Sequence, residues 1–351
     1  MIKFKAAVLA KSRSQLEIKE ITHSGTLEAG QVLVKVLYSG ICGAQINEID
    51  AAKGEDKFLP HLLGHEGVGI VKEVGELVNH VQINDLVVMH WMPGQGIQSK
   101  PPVYKSESQK INAGWVTTFN EYAVISGNRC TKIFKQKLKL EFLPLLGCSA
   151  TTALGVLENE ASIKIGESIC VIGVGGVGLF CVLLATSMGA FPVIAIDRNE
   201  KNLDQARKLG ADYCIKVEDK ETKQLIENKI KNLLTNKNID VIIESTGNSK
   251  MIEVAYNLAQ PKSRAILVGV PNINQEIRIN TLPLHFGMKF IGSKGGQSKP
   301  ESDIQRLINL YEFGKFSIDR MKIKILSLDE INKGIEELRT GFPGRIILKM
   351  D

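Results

Sequence analysis

The spacing of hydrophobic and polar positions changes once along this chain. Up to about residue 147 the apolar positions fall in short, partly alternating, β-branched runs. Val32-Leu33-Val34-Lys35-Val36 and Val68-Gly69-Ile70-Val71-Lys72-Glu73-Val74 are two of them. Glycines, prolines and an Asn-Asp step separate these runs, which predicts short strands joined by turns. From about 153 to 270, compact apolar runs alternate with longer stretches of helical period. The pattern predicts strands over 168–172, 192–196, 213–217, 239–243 and 264–268, and helices over 176–188, 199–209, 221–234 and 249–259. Strand and helix in strict alternation mean a parallel sheet covered on both faces. Segment 286–292 reads as one more strand. A helix near 301–313, a strand near 321–325, a helix near 329–338 and a last strand from Arg345 to Leu348 complete the chain.

Composition narrows the classes. The 351 residues suffice for two domains of ordinary size. Hydrophobic content of 44% with 23% charged residues reads as soluble and globular. The net charge of +6 is spread over the helices without a basic block, which argues against a nucleic-acid partner. The amino-terminal residues lack the apolar core of a signal peptide, and no apolar stretch reaches the ~18 residues of a membrane span. Six scattered cysteines argue against a disulfide framework and fit a cytoplasmic location.

The first chemistry lies where the strand Cys170-Val171-Ile172 runs into Gly173-Val174-Gly175-Gly176-Val177-Gly178. Gly173 permits a tight turn, Gly175 leaves room for a pyrophosphate, and Gly178 lets the following helix pack closely on the strand. Free N–H groups at that helix start, Gly176 and Val177 among them, face the phosphate charge. The next apolar run ends at Asp197, placed to hold the hydroxyls of an adenosine ribose. Asp197 favours NAD and repels the extra phosphate of NADP, whereas Arg198 offers that phosphate a bidentate partner. The balance is read as NAD. Thr246-Gly247 and Gly269-Val270 end later parallel strands, where cofactors bind in such sheets.

A second chemistry is spread over three segments: Gly40-Ile41-Cys42-Gly43, Gly64-His65-Glu66-Gly67 and Leu146-Gly147-Cys148. Two thiolates and an imidazole suit zinc, and three protein ligands leave a fourth position open. Spacing alone does not bring them together, and free cysteines are usually core residues.

Taken in order, these segments resemble the zinc-containing, medium-chain alcohol and polyol dehydrogenases over nearly the whole length. The resemblance implies an α/β architecture. A GroES-like, β-rich catalytic domain over 1–150, completed by 293–351, would sit with a Rossmann, doubly wound parallel-sheet domain over 151–292. It implies Cys42, His65 and Cys148 as ligands of one catalytic Zn2+, with Glu66 beside the metal. It also implies Thr152 behind the nicotinamide, Arg345 at the pyrophosphate, and Thr246 and Val270 along the cofactor. The expected partners are an alcohol or ketone and a second copy of the chain, as a homodimer or homotetramer. Segment 277–292 would form that contact, since an unpaired sheet edge is usually covered.

Two departures from the family stand out. Its Ser or Thr two positions after the first cysteine is Ala44 here, which cannot bond a substrate oxygen. Its aspartate in the next position, which orients the ligand histidine, is Gln45, and a frequent histidine further on is Asn47. His90 is a candidate for the displaced proton route, and His90 and Trp91 for the substrate wall. The family's four-cysteine lobe is also missing: no cysteine occurs between Cys42 and Cys130, so no structural zinc is expected. The Gly- and Pro-rich stretch 92–115 is expected to be a long loop over the cleft or at a subunit contact. The reading is hydride transfer between NAD and an alcohol, secondary or polyol-like in view of the missing hydroxyl. A zinc-independent quinone or enone reductase, and a non-catalytic NAD-binding protein, are the alternatives.

Overall fold

The computed structural model describes residues 1–107, 109–134, 137–234 and 238–351. The repeating half builds one six-stranded sheet, every pair parallel. Its order is Tyr213–Lys216, Val193–Asp197, Ile169–Ile172, Ile239–Glu244, Ala259–Leu267 and Lys289–Gly292. The fully buried run Ile169–Ile172 sits near the middle, as expected of a strand apolar on both faces. Strand order reverses on its two sides, which opens a crevice at the carboxyl ends of the sheet. Helices Gly176–Ser187, Glu200–Leu209, Lys223–Leu233 and Ser249–Leu258 lie where periodicity placed them. Asn199, Thr222 and Asn248 cap the last three through their side chains. The strand predicted over 264–268 begins earlier, at Ala259.

The remaining strands form two further assemblies. Cys130–Lys132, Leu86–Met89, Gly67–Val74, Gln31–Ile41, Arg345–Lys349 and Ile323–Ser327 make one sheet, with Tyr122–Ser126 also pairing to Gln31–Ile41. The last strand therefore returns to the first part of the chain, Ile346 opposite Ile41. A closed barrel takes Ile2–Leu9, Glu17–His23, Val103–Ser106, Gln109–Asn112 and His61–Leu62. This corrects the expectation of a loop over 92–115. Val103–Ser106 and Gln109–Asn112 pair antiparallel and close the barrel, and Ser108 lies outside the described residues. The pairing was hidden because Val103–Ser106 and Gln109–Asn112 are short and mostly polar, so their strand character comes from partners distant in sequence. Among the described residues, no single helix is long and apolar enough to cross a membrane.

His90 belongs to this framework. It is fully buried; its Nδ1 lies 2.7 Å from the Met92 carbonyl and its Nε2 3.0 Å from Thr131 Oγ1. A neutral ring satisfies both bonds, Nδ1–H donating and Nε2 accepting. Burial, aided by the Arg129 charge, pushes its pKa down to about 4. His90 is thus a packed core residue, and Trp91 lies against Gly295, where an added Cβ would fall 2.5 Å from its ring.

The unfolded chain binds a proton on this ring near pH 6.5, while the folded chain resists it to about pH 4. The stability His90 contributes is complete above the higher value and is lost as pH falls through the window, by at most about 3 kcal/mol. We expect His90→Gln to lose stability less steeply than the native chain between those pH values. Urea unfolding across a pH series checks this, and equal slopes would refute it.

Candidate metal centre and nucleotide crevice

Sheet register assembles the three soft donors. Gln31–Ile41 and Gly67–Val74 run antiparallel with Ser39 opposite Gly67, so the chain just beyond the first strand meets the chain just before the second. Those flanking residues are Cys42 and His65. Met89 pairs with Gly67 on the other side, and its carbonyl packs on Gly147, where a Cβ would come within 2.2 Å of it. Cys148 follows at once and caps helix Ser149–Gly155. The donor atoms of Cys42, His65 and Cys148 all lie within 4.8 Å of one another. Both cysteines are buried, and His65 Nε2 is buried without a hydrogen-bond partner. An orphaned imidazole nitrogen facing two sulfurs fits a zinc ion bound through Nε2. The other ring nitrogen meets the side-chain amide of Gln45, whose Oε1 also accepts from Cys42 N–H at 3.3 Å.

Below these donors lies a fully enclosed ion pair. Arg345 Nη2 bonds Glu66 Oε1, with the two side chains 2% and 0% exposed. The strand pairing of Ile346 with Ile41 carries Arg345 there. Only a glycine fits at 40, since a Cβ would fall 2.2 Å from Glu66 Oε1. Ser39 Oγ and Thr118 Oγ1, 2.7 Å apart, both approach the Glu66 carbonyl.

Charges in this cluster shift one another. The Cys42 thiol is held well below its usual range, first by the hydrogen bond it accepts from Cys148, then by His65 and Arg345. That same bond, with burial, holds Cys148 well above it. Burial raises Glu66 against the pull of Arg345. Burial lowers His65, but the neighbouring Cys42 sulfur and the Glu66 and Glu48 charges outweigh it and the net shift is upward. Without a metal, protons neutralise the cluster.

The nucleotide turn is equally resolved. Gly173 has φ of +85°, and a Cβ there would meet Thr246 Cγ2 at 2.5 Å. At Gly178 a Cβ would fall 2.0 Å from the Gly173 carbonyl, whereas at Gly175 it would meet nothing within 4 Å. Gly175 precedes helix Gly176–Ser187 and caps it without a side chain, leaving the first N–H groups of Gly176 and Val177 open. Asp197 Oδ2 accepts from Val174 N–H at 2.9 Å and Oδ1 from Asn199 N–H at 2.8 Å, which ties the acid to the glycine turn. Arg198 is exposed and points to Asp219, 3.6 Å away. Buried Glu244 accepts from Thr246 N–H at 2.7 Å and from its hydroxyl, fixing Thr246 beside Gly173. The Val270 carbonyl packs on Gly247, and Thr152 N–H bonds the Cys148 carbonyl at 2.9 Å. Arg345 reaches this turn as well as Glu66, for a Cβ on Gly176 would fall 2.1 Å from its Nη1.

A cavity of about 660 Å3 opens beside His65 and Gln45, bordered by segments 51–58, 61–65 and 113–117. Of the three donors, His65 alone borders it. Phe58, His61, Trp115 and Thr117 line it, and pattern reading passed over three of these; Trp115 fell only within the expected loop. No spacing signal joins segments 58 and 115 until the barrel is formed.

Comparison with known proteins gives a consistent relationship. The alcohol dehydrogenase GroES-like domain family matches residues 28–135, and the zinc-binding dehydrogenase family matches 176–312. Alcohol dehydrogenase 6 of Peromyscus maniculatus is 31% identical over 377 residues, covering 99% of this chain and 98% of its own. An S-(hydroxymethyl)glutathione dehydrogenase of Escherichia coli is 29% identical, covering 99% and 100%. The crystal structure of benzyl alcohol dehydrogenase from Acinetobacter calcoaceticus superposes with a TM-score of 0.87 at 26% identity, covering both chains completely.

Two outcomes follow from the buried charges. Arg345→Ala strands the Glu66 carboxylate and should cost about 3–5 kcal/mol in urea unfolding. Arg345→Met combined with Glu66→Gln should recover much of that loss. Zinc uptake should release protons, because Cys148 is protonated in the metal-free cluster, and affinity should rise with pH. Calorimetry in buffers of different ionisation enthalpy measures the release; uptake without release would contradict the cluster as described.

Proposed function

The chain belongs to the zinc-containing medium-chain alcohol dehydrogenase family, and on that footing we propose that it is a zinc-dependent oxidoreductase moving hydride between an alcohol and NAD. The observation that carries the proposal is the unpartnered His65 Nε2, buried within 4.8 Å of the Cys42 and Cys148 sulfurs. Zinc held by these residues would supply Lewis-acid polarisation of the substrate oxygen, and NAD would supply the hydride acceptor.

The remaining roles fall to the chain. Cys42, His65 and Cys148 bind the metal, and Gln45 fixes the His65 ring. Glu66 supplies a carboxylate next to the donors, held in place by Arg345. We read residues 1–150 with 293–351 as the part that holds metal and substrate, and 151–292 as the nucleotide part. In the latter, Gly173, Gly175, Gly176, Val177 and Gly178 cradle the pyrophosphate, aided by Arg345. Asp197 takes the ribose hydroxyls, and Thr152, Thr246 and Val270 flank the cofactor. The engagement of Arg198 with Asp219 supports NAD over NADP, since it draws the guanidinium toward an acid. Ala44 is exposed and offers no hydroxyl, so the proton leaves by a route other than that side chain.

The outer edge of Lys289–Gly292 has no strand partner among the described residues, and Leu282 and Phe286 beside it are exposed. That supports an edge-to-edge contact between copies.

Cys42→Ser should lower bound zinc and alcohol turnover together by at least about tenfold, while NAD binding stays measurable. Metal content by mass spectrometry, steady-state rates and NAD titration check this. Full turnover in a zinc-free preparation would overturn it. With native protein, kcat/KM should be higher with NAD than with NADP, and Asp197→Ala should narrow the gap.

A further inference from the structure

The cavity beside His65 is graded in a way that selects a substrate. Its deep residues, Gln45, Leu62, Leu63, Gly64 and Thr117, are buried. Its width comes from residues with little or no side chain: Ala51, Gly54, Ala113 and Gly114. Phe58 and Trp115 stand at the mouth, 71% and 43% exposed. Together they offer aromatic surface to whatever enters the cavity. Trp115 is held in place, with the Arg129 guanidinium 5.4 Å from its ring and its carbonyl accepting from Ser126 N–H at 2.8 Å.

Polar groups are distributed the opposite way. Glu48, Lys53, Glu55 and Lys57 are exposed on the rim, and Asp56 is tied to His61 at 2.6 Å. In the deep part the Gln45 amide is engaged by His65 and Cys42. Half-buried Asn47 also lines the cavity, and the fully buried hydroxyl is Thr117, 2% exposed, whose Oγ1 has no hydrogen-bond partner. A buried hydroxyl with no partner is costly to a fold, and a ligand oxygen removes the cost.

We propose that this cavity takes bulky, mainly apolar alcohols of the arylalkyl type and their aldehydes, with Thr117 as the hydroxyl that anchors the substrate oxygen and Phe58 and Trp115 covering the aromatic body. The proposal rests on the alcohol dehydrogenase reading and names its substrate class. A polyol fits poorly. Those of its hydroxyls that reach the deep part beside Leu62 and Leu63 would lack partners, at about 1–3 kcal/mol apiece. Ethanol leaves most of the volume unfilled, since cavities of this size match ligands several times larger.

The test uses the full-length, zinc-loaded protein with NAD and three probes: 3-phenylpropan-1-ol, ethanol and sorbitol. We expect kcat/KM for the arylalkyl alcohol to exceed both others by about 100-fold, the value of burying a phenyl ring. Thr117→Val keeps the shape and removes the hydroxyl. It should raise KM for 3-phenylpropan-1-ol about five- to tenfold, with kcat nearly unchanged and the ligand-free melting temperature equal or higher; a purely structural Thr117 would lower the melting temperature and leave KM alone. Trp115→Ala should cut the preference over ethanol about tenfold. Binding is also read without turnover. In a Trp91→Phe background Trp115 is the sole indole, and its fluorescence should respond saturably to 3-phenylpropan-1-ol and not to sorbitol. A preference for sorbitol, a native KM in Thr117→Val, or no fluorescence response overturns the proposal. A saturable response with no turnover of any alcohol or aldehyde upholds the binding class and overturns the oxidoreductase reading instead.

Discussion

The buried pair Glu66–Arg345 is the constraint on which the rest of this molecule depends. Glu66 follows the ligand histidine directly, and Arg345 opens the last strand. Their contact ties the two ends of the chain beneath the donors. The guanidinium also fills the space over Gly176, so one side chain touches both the metal cluster and the nucleotide turn. A guanidinium suits this task because its planar fork serves the Glu66 carboxylate on one side and lies over Gly176 on the other. A buried ion pair adds little net stability over a well-packed apolar pair. Its value here is registry: strand Arg345–Lys349 cannot slip against Gln31–Ile41 without leaving a charge unpaired.

What the sequence disclosed, and what it withheld, follows the range of the interactions. The parallel sheet was legible because its central strands are compact apolar runs and helices Glu200–Leu209, Lys223–Leu233 and Ser249–Leu258 are amphipathic, while Gly176–Ser187 is apolar nearly all round. The glycine turn was legible because backbone conformation demanded glycine at Gly173 and close packing demanded it at Gly178. The barrel hairpin Val103–Ser106 and Gln109–Asn112 was not, since its strands bury few residues and pair outward with Glu17–His23 and His61–Leu62, both distant in sequence. The donor set Cys42, His65 and Cys148 was readable only as types. Their meeting depends on the register of Ser39 with Gly67 and Gly67 with Met89, which no local pattern encodes. His90 shows the opposite error. A histidine near motif residues attracts a chemical role, yet its two ring bonds and its burial make it framework.

Gln45 shows how a departure from the family is accommodated. Its amide faces two N–H groups, that of Cys42 and, with a metal on Nε2, that of His65 Nδ1. A carboxylate accepts from both, whereas an amide carries one acceptor and one donor. Here the amide nitrogen faces Nδ1 while Oε1 takes the Cys42 N–H, so accepting an Nδ1–H requires the amide to turn over and give up the Cys42 bond. The histidine gains no basicity from a charged partner, and a metal bound to it stays the more electrophilic for that.

Charge counting closes the account of the centre. Two thiolates and the Glu66 carboxylate bring three negative charges into a space from which water is excluded, and Arg345 supplies one positive. The deficit of two positive charges is the charge of one divalent cation. Without it, protons fill part of the gap. Cys148 keeps its hydrogen and bonds the Cys42 sulfur, and Glu66 and His65 shift toward their protonated forms. The upward shifts differ in cause: the bond to Cys42 leads at Cys148, burial leads at Glu66, and at His65 the negative neighbours outweigh burial. A divalent cation would replace the Cys148 proton and meet the unpartnered buried imidazole nitrogen at once, which is why these residues fit a metal ion.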